Sequence, residues 1–489
     1  MCSQKVLSTG GTRLPVENGN LYKLNKGRKN MLRRFVGDRA FYKMVLVLLV
    51  PMVIHQGITN FVNLLDNLMI GQLGTEQMTG VAIVNQLIYI FNLAIFGVVG
   101  GASIFGAQFF GGGDNDGVRN CHRFKMYASL LFAVSAILIF TFFSDGLISL
   151  YLHENESGGD IVATFDFAKQ YMPIMLIGLI PSALTQCYAS TLKECGQTFL
   201  SMVSGIAAVA TNCILNFVLI FGKFGAPALG VVGAAIATVV SRFVELAIIV
   251  IGSHRDKYPF IRGVYATLKI PRKLASSIII KSTPLVINEV LWALGRAMIA
   301  QLCSVRGLFA LSATNITDTV VNLFFIIFFS IGNVIGIVAG QYLGAGEINK
   351  AKDSVRKLLA ANIFVCIFVG IIMVCVSPFI PQMYNTDIQV KELATLFLVI
   401  CGALMPVFSL SHGCYFVLRC GGKTGITFVF DSVFNWVCVI PMMFCLVHFT
   451  SLNIVMIYLI VQLTDLIKSV FGLILVKKGV WINNVVSTV

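Results

Sequence analysis

Charge is scarce in this chain of 489 residues. Asp, Glu, Lys and Arg make up 12% of it, about half of the roughly 25% usual in soluble domains. That shortage excludes an ordinary solvated surface. Histidine is scarce too: its six copies are dispersed, and no Cys, His or carboxylate run has metal-ligand spacing. Without a clustered nucleophile and base, a membrane-embedded enzyme is not indicated. Two Gly-rich segments lack the Lys–Ser/Thr ending of a P-loop, and no repeated filter-like sequence marks a channel. The first 41 residues have no apolar core beside a small-residue cleavage site, so they do not read as a signal peptide. Residues 1–41 read instead as a disordered basic cytoplasmic tail resting on anionic lipid. The thirteen cysteines fall mostly inside apolar stretches (Cys303, Cys366, Cys445), where a thiol behaves as a small hydrophobe, and no pair is placed for an external disulfide.

What the chain has instead is apolar length. Apolar residues make up 57% and mean hydropathy is +0.85. A helix needs about 20 apolar residues to cross a bilayer. About twelve stretches qualify, near 43–65, 79–107, 124–144, 170–192, 199–221, 230–252, 278–303, 312–340, 358–381, 393–418, 425–448 and 452–476. They consume nearly the whole sequence and leave no room for a soluble domain. The formal charge of +14 is concentrated in alternate connections: Lys23–Lys43, Arg119–Lys125, Arg255–Lys281, Lys350–Lys357 and Lys477–Lys478. The other connections hold only Lys169, Lys223, Arg306 and Lys391, and the one near His153–Asp160 is acidic. The positive-inside rule then places both termini in the cytoplasm, which an even number of spans requires. Basic residues scattered between spans argue against a nucleic-acid patch.

The chain also repeats itself. QFFGGGD (Gln108–Asp114) returns as QYLGAGE (Gln341–Glu347), 233 positions later, and the same offset maps Pro51 onto Pro284. LKECGQT (Leu192–Thr198) resembles LRCGGKT (Leu418–Thr424). Two related halves of membrane-length segments are a transporter's architecture. The expected divisions are an N-terminal lobe over 42–254, a cytoplasmic linker over 255–277, a C-terminal lobe over 278–476 and a cytoplasmic tail over 477–489. A short interfacial helix is expected from Lys269 to Lys281. The Gly segments themselves read as helix ends, with glycine terminating the helix and allowing tight packing.

Polar groups inside the spans are the informative residues, because an ionisable side chain at helix centre costs about 2.5–3.5 kcal/mol on insertion scales. Several recur at helical spacing, which puts them on one face. The rows are His55, Thr59, Asn63 and Asp66; Asn85, Tyr89 and Asn92; Asn212 and Asn216; Glu289, Trp292 and Arg296; Asn315, Asp318 and Asn322; and Asp431 with Asn435. One such row is usually helix–helix glue; six, in both halves, favour a polar cavity at the midline. Alternatives stand beside each. Asp66 could simply end its span near Gly71 and Gly74, Asn212 and Asn216 could bond between helices, and Glu289 with Arg296 could form a structural ion pair.

Four features together resemble the multidrug and toxic compound extrusion (MATE) family of cation-coupled exporters. They are LLDNLMIGQLG (Leu64–Gly74), the twin Gln-x-x-Gly-x-Gly-acid segments, NCILNFVLIFG with PALGVVGAAIAT (Asn212–Gly222, Pro227–Thr238), and Arg419 with GGKT (Gly421–Thr424). The match extends from about Tyr42 to Lys478. The resemblance implies an all-α integral membrane protein of twelve transmembrane helices in two six-helix bundles, a V-shaped pair rocking around a central cavity. It implies that Asp66, Asn212, Asn216 and Thr238 bind the coupling ion, Na⁺ or H⁺. A carboxylate with amide oxygens suits either: they are hard ligands, and a carboxylate drawn out of water also holds a proton. Glu289 resembles a C-lobe carboxylate of some members, but the tenth-span acid that accompanies it is missing from Leu393 to Leu418, where His412 and Tyr415 stand instead. Coupling is therefore expected in the N-terminal lobe.

The function expected is secondary antiport at the plasma (inner) membrane, exporting amphipathic organic cations in exchange for Na⁺ or H⁺. The substrate would be held by Asn63, Asn85, Tyr89, Asn92, Glu289, Trp292, Arg296, Asn315, Asp318, His412, Tyr415, Asp431 and Asn435, with aromatic faces attracting the cation. No cofactor, nucleic acid or enzymatic step is expected, and a monomer suffices because one chain holds both halves. The alternative is a lipid or lipid-linked oligosaccharide flippase of the same superfamily. That should have a more cationic cavity, and Arg296 is the only basic residue that sequence places well inside the polar rows.

Overall fold

Twelve helical elements account for the apolar stretches. The computed structural model describes residues 35–488 apart from 153–159, 257, 259, 268 and 385. Most of the basic N-terminal tail, all but Asp160 of the acidic connection, and the side chain of Asn63 thus lie outside the described residues. The elements of the first half are α1 (Arg39–Gly71), α2 (Thr75–Gly111), α3 (Asn115–Phe142), α4 (Ile161–Ile177 with Leu179–Glu194), α5 (Thr198–Phe221) and α6 (Gly230–Arg255). Those of the second are α7 (Arg272–Val305), α8 (Leu308–Gly344), α9 (Ile348–Val376), α10 (Ile388–Cys420), α11 (Thr424–Phe449) and α12 (Ile454–Lys477). Among the described residues, eleven are single helices long and apolar enough to span, and the bent pair of α4 makes twelve.

Local chemistry sets the boundaries. Asp38, Asp114, Asp160 and Asn453 each accept a backbone N–H at the first turn of the helix that follows (2.8–3.1 Å), satisfying donors that would otherwise be orphaned. Gly74 and its repeat mate Gly307 turn the chain into α2 and α8 at φ of +143° and +115°, where a side chain would be strained. Prolines occupy the interiors of α1, α4, α7 and α10 at Pro51, Pro173, Pro284 and Pro406, two pairs at the same 233-residue offset. Each removes one backbone bond. In α4 the axis also bends 45°, at Gly178.

The packing repeats as the sequence does. In the first half α2 packs on α3 and α4, α3 on α4, α4 on α6, and α1 on α5; in the second, α8 packs on α9 and α10, α9 on α10, α10 on α12, and α7 on α11. Between the halves α2 lies against α7 and α8, and α8 against α1. The first helix of each half crosses over: Val45, Leu48 and Met52 of α1 belong to a core with α8 and α10, while Leu274, Ile278 and Leu285 of α7 belong to one with α2, α3 and α4.

At the end of the molecule carrying the basic connections, the twin motifs meet. Gln108 Nε2 donates to the Cys420 carbonyl (3.0 Å), and Gln341 Nε2 donates to the Glu194 carbonyl (2.7 Å). Glu194 and Cys420 are themselves equivalent positions of the LKECG/LRCGG repeat, so the clasp is reciprocal. Gly111 and Gly344 let the two backbones touch there; a Cβ on either would overlap the carbonyl of Gln341 or Gln108.

Two connections are better anchored than sequence suggests. The segment after α6 docks on the N-terminal lobe through buried Phe260, Ile261 and Val264, with Arg123 donating to the carbonyls of Val264 (2.7 Å) and Gly263 (2.6 Å). The separate interfacial helix expected from Lys269 is absent: α7 starts at Arg272 behind Pro271 and runs unbroken, because proline both starts a helix and stops one from extending backwards. After α12 the chain returns across the clasp. Trp481 is buried in the C-terminal lobe and Val485 in the N-terminal one; Gln108 Oε1 accepts the Val485 N–H (2.8 Å), and Gln108 Nε2 donates to the Asn483 carbonyl (3.1 Å).

Candidate functional site

In the N-terminal lobe the polar rows of α1, α5 and α6 converge. Asn212 and Asn216, one turn apart, share a face of α5 and are 4% and 1% exposed. Asn216 Nδ2 donates to Asp66 Oδ1 at 2.6 Å. With its amide turned to satisfy both sides, Asn212 places its nitrogen 2.8 and 3.1 Å from the Asp66 oxygens and its oxygen 3.3 Å from Thr238 Oγ1. Asp66, Asn212, Asn216 and Thr238 therefore form one hydrogen-bonded group, and Asn216 Oδ1 is left without a partner. A carboxylate met by two amide N–H groups is a satisfied anion. Rotating either amide about its last torsion exchanges donor for oxygen and turns the same four residues into an oxygen-rich cage suited to a small hard cation.

This group borders a chamber of about 530 Å³ that also reaches Asn85, Tyr89 and Asn92. Asn85 and Asn92 are held from α4, by Tyr171 (3.5 Å) and Gln186 (3.4 Å). Farther along α6, Glu245 accepts from Arg242 (3.2 Å), and its other oxygen lies 3.8 Å from His55 Nε2. Arg242 and Glu245 belong to no row found by helical spacing; their signal was simply charge inside the sixth apolar stretch.

The C-terminal lobe is built on ion pairs. Asp431 meets Lys468 of α12 through one oxygen and accepts Asn288 Nδ2 of α7 at 3.1 Å through the other. Ser432 secures Asn288 in turn (2.7 Å). Around Asp431 and Asn435 helix α11 winds in π turns, Val429–Val433 and Asn435–Val439, a departure common at functional positions. Arg296 pairs with Asp318 of α8 at 3.0 Å and lies 5.5 Å from the Trp292 ring centroid. The Glu289–Arg296 ion pair considered from sequence is thus replaced by one between helices. Arg296, Asp318, Asp431, Asn435 and His412 border a second chamber of about 200 Å³.

Two further chambers lie between the lobes. One, about 310 Å³, is bordered by Tyr89, Glu289, Trp292, His412 and Tyr415. The other, about 370 Å³, lies above the clasp and takes His55, Ser190, Lys193, Glu194, Glu245 and Arg419. Shared walls connect all four: His55 and Glu245, Tyr89, Arg419, and Lys468 each border two. The single midline cavity expected from sequence is therefore a series. Asn315 is exposed and stands apart from these four chambers. Arg296 is also not alone among basic groups inside: Lys193, Arg242, Arg419 and Lys468 all border chambers. Among the described residues no three His, Cys, Asp or Glu side chains group as a metal site.

Two repeated six-helix lobes with polar chambers within and between them define a polytopic membrane protein of secondary-transporter architecture. Its sequence matches the MatE family over residues 51–218 and 284–445, one block in each half. The chain belongs to that family. Among its relatives, the probable multidrug resistance protein NorM of Thermotoga maritima is 24% identical over 86% of this chain and 89% of its own. The probable multidrug resistance protein YoeA of Bacillus subtilis is 22% identical over 85% of this chain and 89% of its own. Of solved structures, a MOP superfamily transporter from Pyrococcus furiosus superposes with a TM-score of 0.80 at 16% identity, covering 92% of this chain and 97% of that one. The Vibrio cholerae MATE transporter VcmN, solved as a point mutant, gives 0.79 at 17%, covering 90% and 97%. These two establish likeness of fold.

Proposed function

We propose that the chain is a secondary active antiporter that exports amphipathic organic cations in exchange for Na⁺ or H⁺. It works in the plasma membrane as a monomer with both termini in the cytoplasm, and performs no catalysis. The observation carrying the reading is the Asp66–Asn212–Asn216–Thr238 group, which joins α1, α5 and α6 at one chamber. A cation entering there turns amide oxygens inward and draws the three helices together. Because Glu245 and His55 belong to both that chamber and the one above the clasp, tightening α1 and α6 reshapes the substrate space. Cation and substrate then each weaken the other's binding by the same factor, substrate leaves, and the emptied lobes turn inward. The multidrug resistance named for the relatives supports a broad organic substrate.

Efflux of ethidium from proteoliposomes, under Na⁺ and H⁺ gradients imposed separately, tests this with Asp66→Asn beside the wild type. Gradient-driven efflux that the variant loses supports the assignment and names the ion. A variant that exports at the wild-type rate and still answers the gradient sinks it. Flipping of a lipid or lipid-linked oligosaccharide is a second reading, favoured by the basic groups bordering the chambers. Transfer of a fluorescent lipid between leaflets, followed by external quenching, separates the two.

A further inference from the structure

We propose that Lys193 and Arg419 form an anion-binding site in the chamber above the clasp, taking the carboxylate or phosphate of an amphiphile. The two residues are repeat mates, the second positions of LKECG and LRCGG, and they reach the same space of about 370 Å³ from opposite lobes. Arg419 is 7% exposed, has no carboxylate within 4 Å among the described residues, and is flanked by the Phe96 ring 5.4 Å away and the Tyr415 hydroxyl. Its guanidinium fills the space left by Gly100, where a Cβ would overlap it. The Lys193 ammonium forms no hydrogen bond or ion pair among the described residues; Glu245 acts on it only at longer range.

The charges around them do not cancel the pair. Glu194 is committed to Lys125 and Ser190, and Glu245 to Arg242. His55 leans on Glu245. Glu289 acts on Arg419 only at longer range, across the neighbouring chamber that both border with Tyr89, Trp292 and Tyr415. Two desolvated cations with no anion of their own are costly to hold, and an incoming carboxylate or phosphate relieves both. A guanidinium offers such a group two parallel N–H donors, and an ammonium adds a point charge. Gln186, bordering the same chamber, gives one amide N–H to Asn92 and keeps a second as a neutral donor. A substrate's cationic centre then falls to Glu289 and its aromatic neighbours. The transport role of this site rests on the exporter reading; the binding itself does not.

The test uses purified full-length protein and 5-carboxyfluorescein, with binding followed by fluorescence anisotropy and ethidium as the cationic control. Lys193→Gln and Arg419→Gln should each weaken carboxyfluorescein at least tenfold, Arg419→Lys should keep part of the affinity, and neither Gln variant should weaken ethidium. Displacement by benzoate would identify a soluble organic acid as the ligand type, and displacement by dihexanoyl phosphatidic acid a lipid phosphate. Unchanged carboxyfluorescein affinity in a variant that elutes as folded protein overturns the site, and so does displacement by neither competitor. Lys193 is only partly buried, so its variant stands in should Arg419→Gln misfold. Carboxyfluorescein binding that persists where wild-type protein moves no ethidium would sink the exporter reading and leave the anion site standing.

Discussion

Gln108 and Gln341 are equivalent in sequence, yet the structure loads them unequally. Gln108 donates to the Cys420 and Asn483 carbonyls at 3.0 and 3.1 Å and accepts the Val485 N–H at 2.8 Å. Gln341 makes one side-chain bond, to the Glu194 carbonyl at 2.7 Å. Leucine nearly matches glutamine in volume, so Gln108→Leu removes these bonds with little change in packing. Each contributes about 1 kcal/mol net, so the two that reach Asn483 and Val485 hold the C-terminal segment by about 2 kcal/mol together. At ~1.4 kcal/mol per factor of ten, the C-terminal segment should open on the order of thirtyfold more often. Hydrogen exchange of the peptide that covers Gly479–Ser487 reads that opening directly. Gln341→Leu should cost about 1 kcal/mol at the clasp and leave exchange of the C-terminal peptide close to wild type. Equal acceleration in both variants, or none in Gln108→Leu, would refute the reasoning that the C-terminal segment hangs on Gln108.

Other expectations follow from the same contacts. Lys468→Met strips Asp431 of its ion pair and leaves only Asn288; breaking a buried pair costs about 3–5 kcal/mol, so the thermal midpoint in detergent should fall markedly. Adding Asp431→Asn should recover most of the loss, and a single variant as stable as wild type would show the pair to be idle. Gly111→Val and Gly344→Val each drive a Cβ into a backbone carbonyl of the opposite lobe, where neither side can yield as a side chain would. Both should lower the midpoint by similar amounts, equivalent to at least about 1–3 kcal/mol. Normal stability in either would mean that the seam is looser than described.

How far the sequence reaches depends on the kind of contact. Spans were legible because apolar length is a one-dimensional property, and the 233-residue offset correctly paired Gln108 with Gln341 and Pro51 with Pro284. The Asn212–Asn216 face was legible because one turn of helix puts them together; its meeting with Asp66 came from family resemblance. Pairs between helices stayed hidden. Arg296 meets Asp318 and Lys468 meets Asp431 because of how α7, α8, α11 and α12 are rotated about their axes, and spacing within one helix carries no trace of that. Lys193 escaped notice for a related reason: at the end of an apolar stretch it reads as an ordinary interfacial lysine.

The seam between the lobes has the form of an isologous dimer contact, in which residue i of one copy meets residue j of the other and the converse also holds. A true homodimer must repeat every feature of such a contact on both sides. Here both copies lie in one polypeptide, and that constraint is lifted. One C-terminal segment is laid across a two-fold seam: among the described residues it hydrogen-bonds the side chain of Gln108 and not that of Gln341, while Asn483 and Asn484 donate to the Gly421 and Leu343 carbonyls. Fusion has given a symmetric joint a single handle, so a change made at one end of the chain can bias the opening of a contact that neither lobe, by itself, distinguishes from its mirror partner.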